Sequence, residues 1–106
     1  ENNRINLPSE ISLFVHQNSI DYPRNENSEI SALIHPSRVN KDWISIERGD
    51  PLFLDMNNFT FTYEGKEKIY PVFIGEAAYK EKNIAMSFTK RKLIKCKNAW
   101  TTNFFN

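Results

Sequence analysis

Short apolar runs separated by turn residues set the pattern of this chain. EISLFVHQ (10–17), EISALIH (29–35) and WISIE (43–47) are β-branched and partly alternating, the period-two signature of strands with one face buried. All three read as strands. PLFLDM (51–56) is a further run, and FTFTY (59–63) alternates aromatic residues with threonine, so Phe59, Phe61 and Tyr63 share one face. Asn57 and Asn58 between them predict a hairpin turn. Gly65 and Lys66 turn the chain again into KIYPVFI (68–74), while Pro8, Pro23, Pro36, Pro51 and Pro71 mark element edges, where a missing amide hydrogen is tolerated. One stretch departs from the strand pattern. From Glu76 to Phe88 the good helix formers Ala77, Ala78, Glu81, Lys82 and Ala85 occur without Gly or Pro, which predicts a short helix near 76–88. Glu76 would sit in its first turn, where the helix dipole favours a carboxylate, with Lys80 in reach for an ion pair. The cationic run KRKLIKCKNAW (90–100) reads as a last strand. The fold expected is all-β, a compact barrel or sandwich with that one helix.

At 106 residues the chain fits one domain, 1–106, and is too short for two independent cores. The hydrophobic fraction of 40% is enough for a core of modest stability. A net charge of +1 means that any useful charge must be local. The single cysteine, Cys96, excludes an internal disulfide framework. Together with the lack of a membrane-spanning apolar run or a signal-peptide pattern, it leads to the expectation of a soluble, cytoplasmic protein without a membrane partner. The chain starts at Glu1 and not at Met, as a piece cut from a longer protein would.

Candidate chemistry is sparse. His16 and His35 lie far apart and have no Glu or His at zinc-type spacing, so each is read as a hydrogen-bonded structural histidine and not as a ligand. Cys96 lies between Lys95 and Lys97, which favour its thiolate, but no general base is near it in sequence. Seven Lys or Arg residues between Lys80 and Lys97 are opposed only by Glu81, and can form either a solvated face or a cationic rim for an acidic ligand. Phe59, Phe61 and Tyr63 fit a core stripe better than a base-stacking platform. Glu76 and Tyr79, three apart, share a helical face, so a carboxylate and a phenol point together beyond the end of a strand. Spacing leaves two readings of that pair open: a capping carboxylate beside a half-buried tyrosine, or a site.

Three blocks bear on this choice. DYPRNENSEISALIHPSRVNKDW (21–43), GDPLFL (49–54) and YPVFIGEAAYKEK (70–82) resemble, in order and separation, the C-terminal domain of the aspartoacylase and succinylglutamate desuccinylase family of zinc amidohydrolases. The likeness runs from about Leu7 to Lys92. It implies a barrel-sandwich-hybrid-like body belonging to a zinc-dependent hydrolase that cleaves the amide of N-acetylaspartate or a similar N-acyl acidic amino acid. In that family zinc is held by a His-x-x-Glu pair and a later His in an N-terminal catalytic domain, which is absent from this chain. The resemblance therefore implies no catalytic residue, no metal ligand and no bound cofactor here, and an isolated domain that is inactive. Its partners would be the catalytic domain of the same protein and the small acidic substrate, with a homo-oligomer also compatible and nucleic acid disfavoured. By resemblance, Tyr79 falls on the tyrosine whose hydroxyl helps to hold substrate, and Glu76 on the glutamate of the same motif. The domain would cover and narrow the catalytic mouth. The chain departs from the family pattern at Lys80, at Asn83 and in the turn NNFTFTYEGKEK (57–68).

The alternative is a stand-alone, non-catalytic β-barrel that binds nucleic acid or protein. A biotinyl- or lipoyl-carrier barrel is disfavoured, because no lysine stands at a tight hairpin between methionines.

Overall fold

A computed structural model describes residues 10–95. The strands are β1 (Glu10–Ile20), β2 (Ala32–Ile34), β3 (Pro51–Asp55), β4 (Thr60–Thr62), β5 (Tyr70–Val72) and β6 (Met86–Lys95), with one helix, α1 (Ala77–Lys80), before β6. They form two three-stranded antiparallel sheets, ordered β1-β6-β5 and β2-β3-β4. This is the expected mostly-β architecture with one short helix.

Local chemistry explains most of the elements. In β3 the consecutive residues Leu52 and Phe53 are both buried, as in a central strand covered on two faces. The Asn57–Asn58 turn forms as expected: the Asp55 carboxylate accepts from the Asn57 and Phe59 amides, and Asn58 takes the left-handed φ of 65° that asparagine tolerates. In β1 a register shift between His16 and Asn18 leaves Gln17 as a bulge, which bends the strand along β6. His35 accepts the Ser37 amide at the start of a 3-10 turn, Pro36–Arg38, that follows β2.

The core gathers Tyr22, Ala32, Ile46, Leu52, Phe53, Ile69, Ala85, Met86 and Phe88 between the sheets. Phe61 and Tyr63 pack against it while Phe59 stays exposed, so the aromatic stripe is largely core.

The strands expected over 29–35 and 68–74 shorten to Ala32–Ile34 and Tyr70–Val72, and two other expected elements differ more. The run 43–47 is not a strand: Trp43 has φ 69°, which breaks the extended backbone, and only Ile46 pairs, in an isolated bridge with Ile69. The helix expected near 76–88 ends at Lys80, and Asn83 (φ 63°) reverses the chain. Met86 and Phe88 are then buried two positions apart in β6, so pairing with β1 and β5 overrides helix propensity. The last strand is confirmed as far as Lys95, and Cys96 with the rest of that run lies outside the described residues.

Gly65 is required by a close approach. A methyl group there would overlap the Tyr63 phenol, whose hydroxyl donates to the Glu67 carbonyl (2.8 Å) and whose ring meets Phe88 edge-on. Because the ring is held at both ends, Gly65→Ala is expected to destabilise the protein by roughly 1–3 kcal/mol. Urea unfolding of the variant against the parent sequence measures this.

Candidate functional site

The segment from Tyr70 to Asn83 leaves a strand, turns and enters α1. β5 ends at Val72, after which Phe73 (φ 58°) and Gly75 (φ 65°) both take left-handed backbone. Glycine does so freely, whereas an aromatic residue held there costs roughly 1–3 kcal/mol and persists only where its surroundings impose it. Here they do. The Phe73 amide donates to Asp42 Oδ2 (2.9 Å), and next door the Trp43 amide donates to the carbonyl of the fully buried Pro71 (2.7 Å). Gly75 then donates to the Ala85 carbonyl (2.8 Å), which closes 75–85 into a loop that carries α1.

A second set of contacts holds the far end of that loop. Arg24 forms two hydrogen bonds to the Asp21 carboxylate (2.8 and 3.3 Å) and also donates to the Ser28 carbonyl (2.7 Å) and to Asn83 Oδ1 (3.2 Å). Lys80 lies over the Tyr22 ring, 5.8 Å from its centroid. The Asp-Tyr-Pro-Arg motif thus grips α1 and the turn after it.

Glu76 is the N-cap of α1, yet its side chain makes no capping bond. The ion pair expected with Lys80 does not form among the described residues. The Glu76 carboxylate is exposed at the rim of a groove of about 460 Å³, lined also by Tyr22, Leu33, Ile34, Val39, Asn40, Ile74, Gly75 and Ala77. Tyr79 is not in that lining. Its ring is half-buried against Phe73 (centroids 4.9 Å apart, 52° between planes), and Lys82 stands 5.9 Å from its centroid. The Tyr79 hydroxyl has no hydrogen-bond partner among the described residues, while its ring rests on Phe73. The structure therefore puts Glu76 and Tyr79 on one short element but gives them different surroundings.

Of the cationic run, Lys90 is paired with Glu67 and Arg91 donates to Ser12 Oγ (3.0 Å), so these two serve the sheet. Lys80 and Lys82 remain beside α1. His16 bonds Ser19 (3.3 Å) and His35 bonds Ser37 (2.8 Å). Among the described residues no group of three or more His, Cys, Asp or Glu is gathered as a zinc site would need. Reasoning from sequence missed Asp42, Phe73 and Asn83. Asparagine's tolerance of left-handed backbone was a signal for Asn83, whereas nothing local marks Phe73 or Asp42.

The profile of the AstE/AspA barrel-sandwich hybrid domain matches residues 9–91. Proteins named probable aspartoacylase are similar to this chain: one from Prochlorococcus marinus strain AS9601 is 55% identical over 98% of the chain and 35% of its own length. One from Nostoc sp. strain PCC 7120 is 45% identical over 87% of the chain and 32% of its length. The crystal structure of murine aminoacylase 3 superposes with a TM-score of 0.77 at 30% identity, covering 80% of this chain and 28% of that one. The chain thus spans about a third of the length of these relatives. Among the described residues no helix is long and apolar enough to cross a membrane.

The Arg24 hydrogen bonds hold the Asp21 carboxyl below its ordinary value of 3.8, against a smaller opposing effect of burial. A carboxyl depressed by folding adds stability above its unfolded pKa, and that stability is lost as pH falls through the folded value. Asp21→Asn should therefore lower the unfolding midpoint at pH 7, and the difference from the parent sequence should shrink progressively below pH 3.8. Thermal melts across pH 2.5–7 check the sign.

Proposed function

We propose a hydrolase parent for this chain, which belongs to the AstE/AspA barrel-sandwich hybrid domain family. In this reading residues 1–106 form the C-terminal domain of an aspartoacylase-like enzyme that cleaves the amide bond of N-acetylaspartate or a similar N-acyl acidic amino acid. Relatives named probable aspartoacylase, about three times longer than this chain, support a catalytic domain elsewhere in the parent. That domain would hold the zinc, which polarises the scissile carbonyl and activates water. The protein would work in the cytoplasm.

The observation that carries the reading is the Tyr79 phenol, its ring packed on Phe73 and its hydroxyl without a partner among the described residues. A pre-positioned O–H donor suits a substrate carboxylate, and a hydrogen bond to a charged group is strong. Glu76, exposed one turn earlier without an ion-pair partner among the described residues, can orient a cationic group brought by the catalytic domain. Lys80 and Lys82 add local positive potential for an acidic substrate. The body of the domain would cover the catalytic mouth and narrow it.

In the intact parent, Tyr79→Phe should weaken N-acetylaspartate hydrolysis by roughly 1–2 kcal/mol in kcat/KM, the scale of one charged hydrogen bond. Steady-state kinetics equal to those of the unmodified parent would remove Tyr79 from the site.

A further inference from the structure

Asp42 and Trp43 contact the chain at the point where it leaves β5, and their two hydrogen bonds act differently. The Trp43 amide binds the Pro71 carbonyl inside the strand, which cross-strand pairing with β6 already fixes. The Asp42 carboxylate binds the Phe73 amide, one residue beyond the end of β5, where the sheet offers that amide nothing. Phe73 is the residue whose backbone needs outside support, since φ 58° is disfavoured for a bulky side chain. Its ring is also the surface against which the Tyr79 ring rests, 4.9 Å away. An acceptor on a different loop thus sets the backbone of one aromatic residue, and that residue sets the direction of the next.

We propose that Asp42 is a positioning residue of the substrate site: by accepting the Phe73 amide it keeps Phe73 left-handed, and the Phe73 ring in turn fixes the Tyr79 phenol. The inference rests on reading Tyr79 as a substrate contact. Without Asp42, Phe73 relaxes toward ordinary backbone angles, its ring moves, and the phenol loses its aim while α1 stays tied through Arg24, Asn83 and Gly75. The effect falls on substrate binding at a single contact and leaves the scaffold in place. Asparagine keeps a side-chain oxygen where Phe73 needs an acceptor, so it should replace aspartate.

The test uses the intact parent protein with N-acetylaspartate as substrate, comparing Asp42→Ala, Asp42→Asn, Tyr79→Phe and the double variant Asp42→Ala/Tyr79→Phe. Asp42→Ser substitutes for the alanine variant if that one does not fold. The expected result is that Asp42→Ala raises KM about fivefold or more with a smaller change in kcat, Asp42→Asn behaves like the parent, and the double variant is no worse than the more impaired single one. Additive losses, equal damage from asparagine and alanine, or unchanged kinetics in Asp42→Ala overturn the proposal. Two readouts need no activity: hydrogen exchange at the Phe73 amide and nitration of Tyr79 by tetranitromethane, read by peptide mass spectrometry. Both should speed up in Asp42→Ala and not in Asp42→Asn; no change sinks the Asp42–Phe73–Tyr79 linkage itself. Should they change while Tyr79→Phe leaves hydrolysis intact, the linkage holds and Tyr79 as a substrate contact is what fails.

Discussion

The double pairing of β6 is the constraint on which the rest of the structure depends. β6 takes β1 on one edge and β5 on the other, and it sends Met86 and Phe88 into the core from one face while Ser87 and Thr89 are buried on the other. The polar pair is satisfied in place, Ser87 by Ser19 and Thr89 by the Tyr70 carbonyl, so burial brings no unpaired group. Just before β6, Ala85 donates to the Ile20 carbonyl and accepts from Gly75. The end of β1, the exit from β5 and the start of β6 therefore meet at one residue. The loop bearing Glu76 and Tyr79 hangs from that junction.

Much of the fold was legible because period-two patterning and turn chemistry agree. The Pro51–Asp55 and Thr60–Thr62 strands and the turn at Asn57–Asn58 follow from local rules that nothing in the packing opposes. Failures occur where a tertiary contact beats the local preference. WISIE has a strand's composition, but the crossing at Pro71 holds Trp43 left-handed, and its ring packs on Phe14 (5.0 Å). The residues after Lys80 have a helix's composition, yet Arg24 bonds Asn83 and β6 claims Met86. No window of neighbouring residues contains that information.

The candidate site was legible in a narrower sense. Spacing placed Glu76 and Tyr79 on one element, and family resemblance gave them roles, but spacing alone did not separate a cap from a site. In the structure Glu76 stands at the N-cap without a side-chain capping bond, and Tyr79 is half-buried with no partner for its hydroxyl among the described residues. What sequence could not supply is the support: Asp42 lies 31 positions from Phe73. Arg24 and Asn83 are 59 apart. Such pairs are set by topology, and the blocks DYPR, NKDW and YPVFIGEAAY make physical sense together because they meet in space.

Pairing of β1 with β6 joins Glu10 to Lys95, so the first strand described meets the last. Contacts of such long sequence separation close a long loop, an entropic cost that local pairings do not carry. During synthesis β1, with Ile11, Leu13, Phe14 and Val15, leaves the ribosome long before its partner exists. β2, β3 and β4 pair within a few tens of residues of one another and can form meanwhile. Topology thus separates the two sheets during synthesis: β2, β3 and β4 can pair as they emerge, while the sheet from which the Glu76–Tyr79 loop hangs needs β6 to be made.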